Sequence, residues 1–232
     1  MTTVRNTTGT QAIGIPGAVA GDGAAKSRLL TAAVLLFGEK GYSGVGIREI
    51  AAAAGRNSSL ISFYFGGKPG IHQAAVSLAC RQVEGLVDAF PALPGEAEPD
   101  TRPRAEAALR ETIRSLLRFA LPAPRPADGE SAFTLALITL FLRELASPVP
   151  ETETLVLAAA QPHADYMNRC IQLICPDLDG RSTHAIGMSI YGQLLFFLTY
   201  NGVVPGFGSA GFAGTGLAEC VTGFVLRGLR PS

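Results

Sequence analysis

The feature that most constrains this sequence is a pair of short helical segments joined by a turn that a glycine begins. Residues 47–54 carry apolar side chains on one helical face, and Gly55 ends this segment because glycine readily adopts positive φ. A second segment starts at Asn57 or Ser58, either of which can cap a helix, and continues to about Tyr64. Two short helices joined by such a turn have the dimensions of a helix-turn-helix. Hairpins of this kind are common among helical proteins, so the spacing alone leaves the function open.

Glycine and proline divide the rest of the chain into further helices. An apolar helical pattern covers residues 25–40, and a long helix with Pro69 in its first turn covers residues 68–90. After a loop at 91–104, we predict helices at 104–120, 130–146, 151–174, 181–201 and 214–228. Pro162 should break or kink the third of these. Strand signals are weak throughout, so we predict an all-α fold of about nine helices.

The sequence divides into a tail, a head and a body. Residues 1–24 have almost no periodic apolar pattern and are predicted to be a disordered tail. We call residues 25–70 the head and residues 71–232 the body. Hydrophobic residues make up 47% of the chain and charged residues 16%, which suggests that a partner chain covers some of the apolar surface. No secretory signal is visible, and the four cysteines show no CxxC spacing. These features predict a cytoplasmic protein.

Charge is distributed unevenly between the head and the body. The formal net charge of the chain is zero, but the head holds six Lys and Arg against two Glu, for a net charge of +4. The body holds 12 Lys and Arg against 16 Asp and Glu, for a net charge of −4. A basic head beside an acidic body is typical of proteins that bind DNA through the head. Basic patches also occur on proteins that never contact DNA, so this asymmetry supports the interpretation without deciding it.

The second short helix has the length and side chains suited to a DNA major groove. We expect it to present short hydroxyl and amide side chains outward, while Leu60, Ile61 and Phe65 face the head's core. Arg48 lies at the start of the first short helix, where phosphates would be met. Lys68 lies at the start of the long helix, beside free backbone N–H groups that favour a phosphate. The candidate DNA contacts are Arg48, Asn57, Ser58, Ser59, Ser62, Tyr64 and Lys68.

The run from Lys26 to Val76 resembles the N-terminal domain of the TetR family of regulators. The matching segments are Phe37-Gly-Glu-Lys-Gly41-Tyr42, Ile47-Arg-Glu-Ile-Ala51, Ala54-Gly55 and Phe63-Tyr64-Phe65-Gly-Gly-Lys68-Pro-Gly-Ile71. The resemblance implies that residues 25–70 form a three-helix helix-turn-helix DNA-binding domain. It implies that residues 71–232 form a helical ligand-binding and dimerisation domain. The same seven side chains are then the expected DNA contacts by position.

The head also departs from the family pattern. Gly44 and Gly46 stand where many members have Ser or Thr just before the second helix, so one phosphate contact is expected to be missing. Ser62 replaces an aromatic residue that is common in the recognition helix. The amino-acid sequence around the recognition helix is similar to that of the CecR regulators, and the body segment from Phe141 to Pro148 is similar to theirs too.

The body has no catalytic motif in its sequence. There is no HExxH, no GxSxG and no glycine-rich phosphate loop after a strand, so we expect no enzyme activity, no cofactor and no metal site. Aromatic residues with sparse polar groups among them suggest a small-molecule site, with plain core packing as the alternative. The resemblance implies such an effector pocket for a largely apolar molecule. The candidate lining residues are Phe119, Phe133, Phe141, Arg143, His163, Tyr166, Met167, Met188, Tyr191, Gln193 and Phe197.

The segment from Ala185 to Ala218 carries no charged residue. Burial of the last two helices in a homodimer explains this pattern, and membrane insertion of 186–204 is the alternative. The sequence therefore predicts a homodimeric transcriptional repressor that a small molecule releases from double-stranded operator DNA. The alternative function is a small helical ligand carrier or enzyme with an incidental helix-turn-helix.

Overall fold

The computed structural model describes residues 22–120, 129–200 and 215–229. Within these ranges the chain forms nine helices and no strand, which confirms the predicted all-α fold. The helices are α1 Asp22–Lys40, α2 Ile47–Ala53, α3 Ser59–Phe65, α4 Lys68–Val87, α5 Thr101–Ala120, α6 Gly129–Ala146, α7 Glu153–Ile174, α8 Gly180–Tyr200 and α9 Thr215–Gly228.

The predicted helix boundaries differ from the observed ones by a few residues. Helix α1 begins at Asp22, three residues before the start of the predicted pattern, and Ala25 is already buried in its first turns. Helix α4 ends at Val87, and the backbone N–H of Phe90 then donates to the Val87 carbonyl across a turn. Helix ends are the least constrained part of a periodic pattern, because the apolar face stops one turn before or after the cap.

Helix α7 runs through Pro162 without a break, so of the two predicted outcomes the break is wrong and the kink stays a prediction. Proline removes the hydrogen bond to the carbonyl of the residue four positions earlier, which is Ala158. Both Pro162 and Ala158 are exposed, so water can satisfy this carbonyl. On the opposite face, Ala159 and His163 are buried and hold the helix against its neighbours.

The head has a core of large side chains contributed by each of its helices. Leu29, Phe37, Ile50 and Ile61 are all completely buried. They belong to one apolar cluster that continues into α4, α6 and α7. Because this cluster includes body side chains, α4 links the head to the body as part of a shared core rather than as a free linker.

The backbones of α1 and α6 approach closely where the head meets the body. A Cβ atom built on Gly38 of α1 would lie 2.9 Å from the Ala136 carbonyl oxygen of α6. Real Cβ atoms essentially never lie so near to another backbone. Glycine at position 38 therefore allows the end of the first helix to dock directly on the body.

A second apolar cluster lies in the body between α5, α7, α8 and α9. Leu109, Ile113, Met167, Ile171 and Ile190 are among its largest fully buried members. Among the helices described, including α8, none has the length and apolarity needed to cross a bilayer.

Candidate DNA-binding surface

The helix-turn-helix is built by local backbone signals in α2, the turn and α3. Gly46 precedes α2 in an extended conformation and offers no side-chain cap. Gly55 in the turn has a φ of +61°, in the left-handed region that glycine tolerates best. The Asn57 side-chain oxygen accepts the backbone N–H of Ser59 at 2.9 Å. Of the two predicted capping residues, Asn57 is thus the one whose side chain bonds the start of α3.

All seven predicted DNA contacts are at least partly accessible. They lie on α2, in the turn, on α3 and at the first residue of α4. The exposed members are Arg48, Asn57, Ser59 and Ser62, and the partly exposed ones are Ser58, Tyr64 and Lys68. This placement suits DNA contact, which itself stays a prediction.

Helix α3 divides its side chains between the core and solvent. Ile61 is completely buried, and Leu60 and Phe65 pack partly buried against the head's cluster, as predicted. Tyr64 was expected to point outward, but it also packs partly buried against the same cluster. Phe63, which the sequence analysis did not select, is 75% exposed.

The ammonium group of Lys68 is held against an aromatic ring at the start of α4. Its Nζ lies 4.4 Å from the centroid of the Tyr42 ring, within cation–π range. Tyr42 in turn lies 4.6 Å from the His72 ring, centroid to centroid. The charge of Lys68 is therefore positioned at the N-terminal end of a 20-residue helix, where backbone N–H groups also favour an anion.

An ion pair links the end of α1 to the start of α2. Lys40 Nζ donates to Glu49 Oε1 at 2.6 Å, and both side chains are exposed. This hydrogen bond raises the pKa of Lys40 and lowers the pKa of Glu49. Because Glu49 offsets Lys40, this lysine adds little net positive potential to the head.

Arg143 joins α6 of the body to the C-terminal end of α1. Its Nε donates to the Gly38 carbonyl at 2.8 Å, and its Nη2 donates to the Glu39 carbonyl at 2.9 Å. These carbonyls lie in the last turn of α1, where free acceptors and the helix dipole favour a cation. Arg143 was predicted to line the effector pocket, and the structure instead places its guanidinium on the head.

A buried polar cluster ties α4 to the end of α6. His72 Nε2 lies 3.1 Å from Glu144 Oε1, and each side chain is at most 4% exposed. Thr152 donates its hydroxyl to Glu144 Oε2 at 2.6 Å. Burial raises the pKa of Glu144, but the His72 imidazole and the Thr152 hydroxyl outweigh it, so the pKa lies below its usual value. We call these three residues, with the Arg143 contacts, the head–body junction.

The predicted pocket residues separate into different parts of the body. Phe133 and Phe141 pack in the cluster shared with the head. Met167 is completely buried in the second cluster, with Tyr166 and Tyr191 packed against it. The side chains of Phe119 and Phe197 lie outside the described residues.

Two further members of the predicted pocket, Met188 and Gln193, lie on α8. Met188 is 53% exposed. Gln193 donates its amide to the Ser189 carbonyl of its own helix at 3.3 Å. The structure thus brings only some of the predicted lining residues together, and their contact with an effector stays a prediction.

Three of these residues take part in hydrogen bonds near the end of α4. His163 Nε2 donates to the Val83 carbonyl of α4 at 2.9 Å, and burial lowers the pKa of this histidine. Tyr191 donates its hydroxyl to the His163 carbonyl at 3.0 Å. Tyr166 donates to the Pro91 carbonyl at 2.7 Å. Helices α7 and α8 are therefore coupled by polar contacts to the C-terminal end of α4 and the residues after it.

An open cleft of about 550 Å³ lies between α5 and α9. Its lining includes Glu106, Arg110, Glu219, Cys220 and Arg227. Arg110 donates to Glu219 across the cleft at 2.7 Å. This lining includes several charged side chains and none of the predicted pocket residues. In the part of the chain that is described, no three His, Cys, Asp or Glu side chains gather into a metal-binding group.

The sequence of the head matches known regulators. The family profile "Bacterial regulatory proteins, tetR family" matches residues 29–75. The chain is 46% identical over 52 residues to the probable HTH-type transcriptional regulator YttP of Bacillus subtilis, covering 22% of this chain and 25% of that protein. It is 45% identical over 58 residues to the HTH-type transcriptional dual regulator CecR of Shigella flexneri, covering 25% of this chain and 23% of that protein. The chain thus spans about a quarter of the length of these curated relatives, and the predicted CecR likeness of the body stays a prediction.

The fold matches solved structures over most of the chain. A TetR-family transcriptional regulator from Bordetella parapertussis superposes with a TM-score of 0.59 at 17% identity, covering 87% of this chain and 93% of that one. The fatty acid degradation regulator FadR from Bacillus halodurans gives a TM-score of 0.56 at 19% identity, covering 88% and 100%. AibR, in complex with isovaleryl coenzyme A and operator DNA, gives 0.59 at 15% identity, covering 88% and 96%. The helix-turn-helix is thus matched by sequence to the tetR family of bacterial regulatory proteins, and the helical body is matched to regulators of that family by fold alone.

Proposed function

We propose that this protein is a dimeric transcriptional repressor that binds operator DNA through α2 and α3 and leaves it when a small molecule binds the body. The observation that carries this proposal is the helix-turn-helix itself, which exposes short polar side chains on α3 within a head of net charge +4. Positive charge attracts the phosphate backbone, and short polar side chains suit contact with base edges. The protein would act in the cytoplasm.

Footprinting on the DNA that flanks the protein's own coding region tests the DNA-binding step. A dimer with one recognition helix per subunit should protect two half-sites whose centres lie about 10 base pairs, or a multiple of that, apart. The Arg48→Ala variant should weaken protection, because this exposed cation at the start of α2 is one of the proposed phosphate contacts. Absence of protection on any flanking sequence, with an intact helical fold by circular dichroism, would argue against an operator at that locus.

Dimerisation through α8 and α9 is supported by apolar side chains left exposed on both helices. Met188 and Phe196 of α8 are 53% and 43% exposed, and Phe224 of α9 is 66% exposed. Met188 and Phe196 are eight positions apart and therefore lie on one helical face. An isologous contact between two copies would bury these side chains.

A matched pair of variants tests this interface by sedimentation. Phe224→Arg should convert the dimer to a monomer, because it places a charge in the proposed contact. Leu157→Arg on α7 is the control, since Leu157 is similarly exposed at 55% but lies on another helix. A wild-type protein that is monomeric at micromolar concentration, or two variants that behave alike, would contradict the proposed interface.

The proposed release mechanism uses α4 as a lever. Helix α4 has 20 residues, so it is about 30 Å long, and a tilt of about 5° at one end moves the other end by roughly 3 Å. Two heads fit successive major grooves only at a spacing of about 34–36 Å. A ligand that disturbs the hydrogen bonds of Tyr166, His163 and Tyr191 near the end of α4 would change this spacing. AibR, a protein of similar fold, was solved with both isovaleryl coenzyme A and operator DNA, so this fold can carry a small-molecule site and a DNA-binding surface.

Thermodynamic linkage supplies the test of this coupling. A ligand that lowers operator affinity must itself bind less tightly when operator is present, by the same factor. Typical coupling corresponds to about 5- to 150-fold in affinity. Titration of a screened apolar ligand into the dimer, with and without operator, should show this difference. Equal ligand affinity in both titrations would exclude the mechanism for that ligand.

A further inference from the structure

Phe63 occupies an unusual environment for a phenylalanine. It is 75% exposed, more than the other exposed large apolar side chains among the described residues, such as Phe224 at 66%. Burial of a phenylalanine side chain is favourable, so a partner that covers this ring would gain binding free energy from the contact. The local fold explains why it points outward, because Ile61 and Phe65 already fill the core positions of α3.

Phe63 shares the outward face of α3 with two polar side chains. It lies four positions after Ser59 and next to Ser62, and all three are exposed. Positions four apart lie on the same face of a helix. The ring of Tyr64 packs edge-on against Phe63, with centroids 5.0 Å apart and planes at 72°. Phe63 is therefore exposed on the same face of α3 as the polar side chains that the proposed function turns toward DNA.

We propose that Phe63 reads thymine, by packing its phenyl ring against the C5-methyl group in the major groove of the operator. This methyl is the one apolar group that a base pair presents in that groove, and apolar side chains recognise it there. A polyanionic partner fits the surroundings of Phe63 better than an apolar protein surface does, because three cations belong to the same region. Arg48 lies on α2, Arg56 lies in the turn before α3, and Lys68 is the first residue of α4. The inference rests on the proposed function and adds a specificity-determining residue to it.

Replacement of single thymines by deoxyuridine isolates this contact, because deoxyuridine lacks only the methyl group. In a footprinted operator, one such replacement in a single half-site should weaken wild-type binding about 4-fold, the value for burial of one methyl group. Phe63→Ala should bind the unmodified operator more weakly and show no further loss with deoxyuridine at that position. Leu35→Ala is the control, because Leu35 is also exposed at 42% in the head but lies on α1. This control should keep the wild-type response to deoxyuridine.

Affinities from fluorescence anisotropy, together with sedimentation, decide between the outcomes. If the wild type binds its operator and no deoxyuridine position distinguishes it from Phe63→Ala, the inference is wrong and the proposed function stands. A change of oligomeric state in Phe63→Ala without a change in DNA affinity would show that a second protein copy covers this ring, and would also overturn the inference. If no DNA is bound specifically by the wild type, the proposed function fails first. Thermal melting of Phe63→Ala should match the wild type, because the exposed ring contributes little to the folded head.

Discussion

Substitution of Glu144 by alanine should destabilise the protein strongly, because its carboxylate is the acceptor at the centre of the head–body junction. The side chain is buried, with Oε2 accepting the Thr152 hydroxyl at 2.6 Å and Oε1 lying 3.1 Å from His72 Nε2. A hydrogen bond to a charged group contributes about 1.5–3 kcal/mol, and removal of one partner of a buried pair costs about 3–5 kcal/mol. Thr152 keeps a second acceptor, the Val149 carbonyl at 3.0 Å, so we expect the lower end, about 3 kcal/mol.

Urea denaturation followed by circular dichroism measures this loss of unfolding free energy. For a chain of this size, about 3 kcal/mol corresponds to a fall in melting temperature of roughly 6–12 °C. Glu151→Ala is the matched control, because Glu151 is exposed just before α7 and should change stability by less than about 0.5 kcal/mol. In a double-mutant cycle, His72→Ala and Glu144→Ala should be non-additive by at least about 0.5 kcal/mol. A loss for Glu144→Ala no larger than the control, or strict additivity, would refute the assigned role of the pair.

Two further predictions concern α4 and α7. Gly70→Ala should destabilise the head by about 3 kcal/mol or more, because the new Cβ would lie 1.7 Å from the Phe65 carbonyl oxygen. Gly85→Ala, in the same helix with open space around it, should instead raise stability by about 0.5–1 kcal/mol, and denaturant titrations of the two should differ in sign. Burial lowers the pKa of His163 from 6.5, so the unfolded chain binds this proton more readily and stability is lost as pH falls below about 6.5. His163→Gln keeps a donor for the Val83 carbonyl but does not titrate. The drop in unfolding free energy between pH 7.5 and 5.5 should therefore be smaller in this variant than in wild type. An equal drop would show that His163 is not the group responsible.

The helices could be predicted from the sequence because their limits are set by local signals. Gly41, Gly55 and Gly66 each end a helix of the head, and each adopts positive φ in the structure. Pro69 opens α4 in its first turn, as the sequence indicated. Pro162 misled the prediction, because whether a helix survives a proline depends on the solvent exposure of the carbonyl it frees. That exposure is a tertiary property.

The candidate sites could be predicted only in part, because side-chain partners far apart in sequence are not set by local pattern. His72 and Glu144 are separated by 72 positions, and no periodicity signals that they meet. Arg143 was assigned to a pocket by its aromatic neighbours in sequence, but its partners are carbonyls of α1. Phe63 was missed because an aromatic residue in a helical pattern is normally assigned to the core. Its exposure follows only from the rotation of α3 in the folded head.

The salt dependence of DNA binding by wild type and Lys68→Ala is the most direct test of the proposal that the head binds the phosphate backbone of DNA. Lys68 lies at the N-terminal end of α4 and is partly exposed, where the account places a phosphate. Loss of one phosphate contact per subunit, two per dimer, should weaken binding to all duplexes and reduce the slope of log K against log salt by about 1.8. Arg169→Ala is the control, because Arg169 is a partly exposed cation of the body paired with Glu96. We expect a reduced slope for Lys68→Ala and the wild-type slope for Arg169→Ala. If Lys68→Ala keeps the wild-type slope and affinity, the proposal that this head binds DNA phosphates through Lys68 is contradicted.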